Sequence, residues 1–360
     1  MYRSFEVRNY RCFEHLKLTD FKRINLLAGR NNVGKTALLE ALFLHAGAYN
    51  PALTINVQAF RGFDTLKVEL GRWADTPWGA LFPEFDTSQT IELTSCDHTG
   101  VSRVMRLRLL RDPDDLTRAV EVVQPTAEAL RESPVSYETA QVLELQYQED
   151  QRADRYFMIL GPEGVRIRPM PPAPPFPGVF LAARTRIRLG EDAERFAKLQ
   201  LVDREQVLLS ALRVIEPRLQ RLTVVVAGGV PTIHGDIGLR RLLPVPDLGE
   251  GMARLTSLIL AMVYAKGGVV LVDEIENGLH HSILSKVWKA VGQAAREFDV
   301  QLFCTTHSLE AIVAAHEAYS SSEPYDFGLF RLDRVRDAVR VVAYDQSALG
   351  AAIESGLEVR

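Results

Sequence analysis

Hydrophobic and polar positions alternate with a period of two along the first part of the chain. "YRSFEVRNY" and "EHLKL" alternate as two antiparallel strands do, and "RINLLAG" is a continuous apolar run typical of a buried strand. A leucine-rich pattern over 36–46 then predicts a helix. The chain is therefore expected to begin with two antiparallel strands, followed by a buried strand that leads into a helix.

Short alternating runs return between 88 and 168 and predict an antiparallel sheet beside the N-terminal elements. These runs are "QTIELTS", "SRVMRLRLL", "AVEVVQ", "YETAQVLELQY", "DRYFMIL" and "GVRIRPM". The prolines of "PMPPAPPFPG" (169–178) end the pattern and favour a stiff extended connector over a peptide ligand for a signalling domain.

The C-terminal half alternates strands with helices, which is typical of an α/β fold. We predict a strand at "GVFLAAR", helices over 191–220, and a buried helix at "LTSLILAMVYA", a run too short to span a membrane. The later segments predict a helix and three strands: "HHSILSKVWKAVGQAAREF", "VQLFCTTH", "FGLFRL" and "VRVVAYD".

Composition and charge narrow the class of protein. The chain has 360 residues, 47% of them hydrophobic and 24% charged, and a net charge of −4, as in an ordinary globular protein. Any contact with nucleic acid must therefore come from a local basic patch. The three cysteines form no disulfide or zinc pattern, and the N-terminus is too charged for a signal peptide. We expect a cytoplasmic protein with no membrane partner.

The first chemical motif is "GRNNVGKT", which matches G-x-x-x-x-G-K-[ST] between a predicted strand and a predicted helix. Such a loop wraps phosphates with backbone N–H groups at the N-terminus of a helix. The Lys35 ammonium would reach the β- and γ-phosphates, and the Thr36 hydroxyl would hold Mg²⁺. The candidate nucleotide-binding residues are Gly29, Arg30, Asn31, Asn32, Val33, Gly34, Lys35, Thr36 and Ala37.

Two acidic residues follow the buried run "VVLV" and complete the chemistry that a phosphate loop needs. Asp273 is the candidate ligand of Mg²⁺, and Glu274 is the candidate group that orients and polarises the attacking water. His307 ends another apolar run and could sense the γ-phosphate. Because the carboxyl ends of parallel strands bind ligands, we expect these residues near the phosphate loop.

Together these motifs resemble the ABC-type ATPases, which use ATP and Mg²⁺. "LGEGMARL" is similar to the signature motif L-S-G-G-Q of that superfamily. Gly249 stands where the family has serine, Glu250 stands where it has the first glycine, and Gly251 retains the second glycine. The resemblance implies that Gly249 and Gly251 contact nucleotide bound by a second copy. It also implies a D-loop after Glu274, in which Asn277 is a nucleotide-site candidate, and a switch role for His307.

The N-terminus narrows the resemblance to the RecF, SMC and OLD-type group, whose chains begin with a strand, an N-[FY]-R-x-F turn and a phosphate loop. Arg11 of that turn is a candidate nucleotide ligand, and Gln58 is the candidate for the Q-loop. "DEIENGLHHSIL" and "CTTHSLEAI" look most like stand-alone OLD-type ATPases. A coiled coil, a guanine-specific N-K-x-D motif and the D-x-D pair of a Toprim nuclease after His307 are all absent from the sequence.

The expected fold is an α/β P-loop NTPase of ABC-ATPase type with an added antiparallel β-sheet lobe and a helical signature lobe. The expected bounds are 1–87 for the N-terminal part of the ATPase core, 88–168 for the β insert, 169–178 for the connector, 179–260 for the signature lobe, and 261–360 for the C-terminal part of the core.

The expected function is ATP hydrolysis coupled to head-to-tail homodimerisation, with output to DNA or to a separate nuclease or toxin in phage defence or DNA repair. Two alternatives remain: a switch that binds ATP but barely hydrolyses it, and an energy-coupling subunit of a transporter. DNA contacts could come from "RTRIR" (184–188), from Arg218 with Arg221, or from Arg240 with Arg241, although a solvated face or salt bridges is the slightly favoured interpretation of each cluster taken alone. His280 and His281 lack partners for a metal site.

Overall fold

The computed structural model describes residues 1–61, 76–111, 141–161, 164–183, 189–336 and 338–360. Among them are a seven-stranded antiparallel sheet, a six-stranded mostly parallel sheet and a small three-stranded sheet. The chain is therefore of the α/β class that the sequence predicts, and the parallel sheet carries the candidate site.

The antiparallel sheet has the strand order β2-β1-β4-β5-β6-β7-β8. Its strands are β1 (Tyr2–Tyr10), β2 (Phe13–Thr19), β4 (Ile91–Asp97), β5 (Ser102–Leu110), β6 (Gln141–Glu149), β7 (Arg152–Gly161) and β8 (Gly164–Arg168). The alternating runs of the sequence are confirmed, except that "AVEVVQ" (119–124) lies outside the described residues. Since β1 and β2 belong to this sheet, it extends across the boundary expected at residue 88, and the domain bounds stay a prediction.

The second sheet has the strand order β16-β15-β3-β14-β13-β9. Its strands are β3 (Ile24–Ala28), β9 (Gly178–Leu181), β13 (Val269–Val272), β14 (Gln301–Thr305), β15 (Phe327–Val335) and β16 (Ala338–Tyr344). All neighbours from β15 to β9 are parallel, and only β16 is antiparallel. β3, β13 and β14 are buried at every position, as continuous apolar runs predict.

The described helices cover both faces of the parallel sheet. They are α1 (Lys35–Ala46), α2 (Leu53–Ala59), α3 (Leu189–Gln200), α4 (Gln206–Leu212), α5 (Glu250–Tyr264), α6 (Leu284–Glu297), α7 (Leu309–Tyr319) and α8 (Gln346–Glu354). α1 is apolar nearly all round because it lies between the two large sheets: Leu38 and Leu42 share one core cluster with Phe5 of β1 and Phe303 of β14. α5 is the predicted buried helix. Within the described ranges no helix is long and apolar enough to cross a membrane.

The small sheet was not predicted from the sequence. Residues expected in a helical signature lobe instead form β10 (Arg221–Ala227), β11 (Val230–Asp236) and β12 (Leu243–Pro244). Gly228 and Gly229 join β10 to β11 with positive φ angles of 58° and 81°, as a type I′ hairpin turn requires. The Gly-Gly pair between two β-branched runs was the signal that could have revealed this hairpin.

Candidate ATP-hydrolysis site

Three adjacent parallel strands bring the sequence motifs to one edge of the sheet. β14 pairs with β3 on one side and with β13 on the other. The phosphate loop follows β3, Asp273 and Glu274 follow β13, and His307 follows β14. The sequence prediction that these strand ends meet is therefore confirmed.

The turn between β1 and β2 packs against Gly34 of the phosphate loop. Gly34 has a φ of 107°, and a Cβ atom there would lie 2.7 Å from Cys12 Sγ and from the Phe13 ring. Only glycine therefore fits at this position without strain. The turn between the N-terminal strands therefore packs directly against the phosphate loop.

The loop residues divide into exposed and buried groups. Arg30, Asn31 and Asn32 are exposed, whereas Val33 and Ala37 are buried in the core. The last two can thus offer only backbone groups to a ligand. Lys35 Nζ donates to the carbonyl oxygens of Gly29 at 2.6 Å and Arg30 at 3.1 Å, so the ammonium lies across the concave side of the loop. Its burial lowers the pKa of Lys35.

Thr36 and Asp273, the two candidate ligands of Mg²⁺, are in direct contact. Thr36 Oγ1 lies 3.0 Å and 3.2 Å from the two carboxylate oxygens of Asp273. The hydroxyl of Thr305 donates to Asp273 Oδ1 at 2.6 Å. Burial raises the pKa of Asp273, and the hydrogen bonds from Thr36 and Thr305 oppose that increase. One hydroxyl and one carboxylate beside a phosphate loop fit Mg²⁺, which keeps waters and binds phosphates rather than filling an all-protein cage.

Glu274 is held in an unusual backbone conformation. Its φ of 52° is in the left-handed region, which non-glycine residues rarely adopt. Two contacts fix it: its N–H donates to Thr305 Oγ1 at 2.8 Å, and Asn277 Nδ2 donates to its Oε2 at 2.6 Å. Such strain is often found at functional sites, where the surrounding structure maintains it.

His307 lies beside Glu276, a residue that sequence analysis did not single out. The His307 ring is about half exposed, and its Nδ1 lies 3.3 Å from Glu276 Oε1. The backbone N–H of His307 donates to the same oxygen at 3.0 Å. Glu276 thus ties the end of β14 to the D-loop.

The signature motif forms the start of α5, as the resemblance implies. Gly249 has φ and ψ angles of 123° and 156°, a conformation essentially restricted to glycine, and a Cβ there would meet no heavy atom within 4 Å. A Cβ on Gly251 would instead lie 2.6 Å from the carbonyl oxygen of Gly278 in the D-loop. Gly251 therefore packs against its own chain, and a substitution there would disturb the D-loop directly.

Arg254, also missed from the sequence, links this helix to the catalytic strand end. Its Nη2 donates to the carbonyl oxygens of Asp273 at 3.2 Å and Glu274 at 3.1 Å. Burial lowers the pKa of Arg254, and the nearby carboxylates oppose that effect. Nothing in the motif comparison assigned this residue a role, because the contact depends on the packing of α5.

Arg11 and Gln58, the candidate nucleotide ligand and the candidate Q-loop residue, both contact other residues of their own chain. Arg11 Nε lies 2.7 Å from Oε2 of the buried Glu40, and its side chain is only 9% exposed. Binding of a nucleotide by Arg11 stays a prediction and would require release of this ion pair. Gln58 is buried in α2, with its Nε2 3.4 Å from Pro77 O, so its assignment to a Q-loop also stays a prediction.

The basic clusters differ in whether their arginines already form ion pairs. Arg218 pairs with Glu216 at 2.9 Å and Arg221 with Asp236 at 3.2 Å. Arg240 and Arg241 are exposed and form no ion pair with any residue the structure describes. Residues 184–188 lie outside the described residues. Across the described parts of the chain no group of three or more His, Cys, Asp or Glu could hold a metal ion, and His280 and His281 are both exposed.

Two family models match the chain, and each covers part of the candidate site. One, described as "AAA ATPase domain", matches residues 1–108. The other, described as "AAA domain, putative AbiEii toxin, Type IV TA system", matches residues 138–314. Together with the strand order and the motifs, these matches show that the chain is an α/β P-loop ATPase, an enzyme that binds and hydrolyses ATP.

Individual relatives are distant. An "ATP/GTP phosphatase" of Helicobacter pylori is 20% identical over 342 residues, which cover 87% of this chain and 86% of that protein. A crystal structure of an Smc head bound to the C-terminal winged-helix domain of ScpA has a TM-score of 0.49 at 11% identity and covers 98% of this chain and 99% of that one. An Smc head bound to the C-terminal domain of ScpA derived from Pyrococcus furiosus has a TM-score of 0.49 at 10% identity, with 98% of each chain covered.

Proposed function

We propose that the chain binds ATP with Mg²⁺ at the phosphate loop and that Thr36 and Asp273 hold the metal. The observation that carries this proposal is the contact between the Thr36 hydroxyl and both carboxylate oxygens of Asp273, at 3.0 Å and 3.2 Å. It joins the first helical turn after β3 to the end of β13, the arrangement in which a cation bridges protein oxygens and phosphates. Lys35 lies in the same loop and would turn its ammonium from Gly29 O towards the β- and γ-phosphates.

Glu274 is the proposed group that orients and polarises the attacking water. It follows Asp273 directly, is partly exposed, and is fixed by Thr305 and Asn277. A carboxylate can accept a proton or a hydrogen bond from water only from a defined position, so a rigid backbone favours this role. His307, half exposed at the next strand end, is the proposed sensor of the γ-phosphate.

The proposed active form is a head-to-tail homodimer in which the signature helix of each copy completes the site of the other. α5 begins directly after the exposed Gly249, where a Cβ would have open space around it. A helix N-terminus attracts phosphate oxygens through its free N–H groups. Glu250 in the same turn brings a negative charge that opposes this attraction, so closure is expected to be weak without a partner.

The proposed output is control of DNA or of a separate effector, such as a nuclease or toxin, in an OLD-type defence or repair system. The description of one matching family as a toxin of a toxin–antitoxin system supports a role of this kind. The exposed arginines Arg240 and Arg241 support contact with a polyanion.

A second candidate function is an ATP-gated switch with very slow turnover. The observation that favours it is the 2.6 Å hydrogen bond from Asn277 Nδ2 to Glu274 Oε2, which occupies one oxygen of the proposed base. If that bond persists when ATP is bound, hydrolysis requires a further movement of the D-loop.

The test compares two substitutions in sedimentation and in ATPase assays. Glu274→Gln should bind ATP, form a dimer with ATP and Mg²⁺, and not hydrolyse it, because an amide cannot act as a base. Lys35→Ala should neither bind ATP tightly nor dimerise. Hydrolysis at the wild-type rate in Glu274→Gln would refute the assignment of the base, and a monomer under all nucleotide conditions would refute the composite site. A slow wild-type rate together with ATP-dependent dimerisation would favour the switch.

A further inference from the structure

The signature helix and the catalytic strand end of one chain form a single packed unit. A Cβ on Gly278 would lie 2.9 Å from Glu250 Cγ, just as a Cβ on Gly251 would lie 2.6 Å from Gly278 O. The first turn of α5 therefore packs against the D-loop at close-contact distance. At this contact there is no room for even one added carbon atom, so movement of one segment towards the other would displace it.

Arg254 extends this contact to the backbone of the proposed base. It follows Gly251 by three residues and so lies on the same face of α5, one turn further along. From there its Nη2 donates to the carbonyl oxygens of Asp273 and Glu274 at 3.2 Å and 3.1 Å, and its Nη1 lies 3.5 Å from Ala183 O at the end of β9.

These bonds act where the backbone is strained. The N–H of Glu274 is fixed from one side by Thr305, and its carbonyl is fixed from the other side by Arg254. Both peptide groups that flank the Glu274 Cα are therefore anchored while its φ is 52°. The peptide group between Glu274 and Ile275 is also held by the Ile275 N–H, which donates to Thr305 O at 3.1 Å. Loss of the Arg254 bonds would therefore weaken this anchor, and the residue could shift towards a more favourable conformation and move its carboxylate.

We propose that Arg254 is a positioning residue for hydrolysis, which holds Glu274 in its left-handed conformation and couples it to the signature helix. The inference rests on the proposed role of Glu274. In the proposed dimer, the signature helix of one chain contacts the nucleotide of the other, while Glu274 serves the nucleotide of its own chain. Arg254 thus connects the two composite sites: closure of the signature on one nucleotide fixes the base at the other.

The experiment compares Arg254→Met with Arg254→Lys and with a matched control, Arg195→Met. Arg195 is also partly buried, but it lies in α3. It stacks on Tyr264 and pairs with Glu191 and Asp192, none of which belongs to the end of β13. Steady-state ATPase activity, affinity for a non-hydrolysable ATP analogue and the thermal midpoint are measured for each variant.

Arg254→Met should lower kcat by about 10- to 100-fold, the loss expected when a catalytic group is displaced by roughly 1 Å, and leave KM and analogue affinity within about twofold. Arg254→Lys keeps a cationic donor and should restore part of kcat. Arg195→Met should keep the wild-type kcat. In a Glu274→Gln background, Arg254→Met should cause no further loss of the residual rate, since Arg254 acts through Glu274.

Three results would overturn the inference: an unchanged kcat in Arg254→Met, a parallel loss of analogue affinity, or a full additional loss in the Glu274→Gln background. If Arg254→Met does not fold, the test rests on Arg254→Lys. Lysine cannot donate with the geometry of arginine, so an unchanged kcat in a folded Arg254→Lys variant would contradict the positioning role. A different result would show that the proposed role of Glu274 itself is wrong: wild-type turnover in the single Glu274→Gln variant.

Discussion

The hydroxyl of Thr305 lies 2.6 Å from Oδ1 of Asp273, the carboxylate that we propose to hold the metal. The Thr305 hydroxyl oxygen in turn accepts the N–H of Glu274 at 2.8 Å. One side chain at the end of β14 therefore fixes both acidic residues at the end of β13. β14 lies between β13 and β3, the strand that leads into the phosphate loop, and it positions both Asp273 and Glu274.

Thr305→Val should damage catalysis more than its small change in shape suggests. The substitution keeps the volume but leaves the Glu274 N–H without its acceptor and removes one hydrogen bond from Asp273. We expect a cost of about 1–3 kcal/mol in the free energy of unfolding and a marked fall in kcat. Chemical denaturation and steady-state ATPase assays measure the two effects.

Thr256→Val is the matched control for this substitution. Thr256 is also buried, but its hydroxyl bonds only to Met252 O within α5. The control should keep its kcat whatever it does to stability. Equal kcat values in Thr305→Val and Thr256→Val would show that Thr305 does not organise the site.

Asp273→Asn should stabilise the nucleotide-free protein at neutral pH while it abolishes hydrolysis. Burial raises the pKa of Asp273, so the folded state binds its proton more tightly than the unfolded state does. The charged carboxylate therefore lowers stability as pH rises from the unfolded pKa through the folded pKa, and the full cost is present above both. Asparagine carries no charge and avoids that cost.

Urea unfolding of both proteins without Mg²⁺ or nucleotide, at neutral pH and at a pH below the unfolded pKa of aspartate, measures this effect. The advantage of the variant should shrink as Asp273 becomes protonated at low pH. A variant that is less stable than wild type at neutral pH would show that the bonds from Thr36 and Thr305 outweigh the cost of burial.

Gly249→Ser, which restores the serine of the related signature motif, should not raise activity. The φ and ψ of Gly249, 123° and 156°, are essentially restricted to glycine, and a serine held there would cost on the order of 1–3 kcal/mol. The start of α5 would have to adopt another conformation. ATPase activity and the ATP-dependent change in mass measure the outcome, and faster hydrolysis together with tighter dimerisation would contradict the prediction.

The main residues of the site could be predicted from the sequence because they lie directly after the ends of buried strands. The runs that end at Ala28, Val272 and Thr305 are apolar enough to be recognised, and adjacent parallel strands align their carboxyl ends. Thr36 and Asp273 are 237 residues apart in sequence, yet the pattern alone predicts that they meet.

The contacts that support the site could not be predicted in this way. The side chains of Thr305, Glu276 and Arg254 each bind a backbone group of the site, so no spacing of side-chain types reveals them. Gly251 shows the same limit: its motif implies a contact with another chain, whereas its packing against Gly278 depends on how α5 meets the D-loop. The ion pair of Arg11 with Glu40 depends on the way the antiparallel sheet packs on α1.

DNA binding, if the protein has it, should depend on Arg240 and Arg241 more than on Arg218. The first two are exposed and form no ion pair with a described residue, so they can neutralise phosphates without breaking an existing contact. Arg218 is already paired with Glu216. Each phosphate contact that is lost should lower the slope of log K against log salt by about 1.

The measurement is a titration of duplex and single-stranded DNA at several salt concentrations, for the wild type, Arg240→Ala with Arg241→Ala, and Arg218→Ala. The double variant should bind more weakly on every sequence and show a shallower salt dependence, because contacts to phosphate carry no sequence information. Arg218→Ala should change the slope less, since its guanidinium is already paired with Glu216 and is not free to neutralise a phosphate. An unchanged slope in the double variant would exclude this surface, and a complete lack of DNA binding by the wild type would favour a protein effector as the partner.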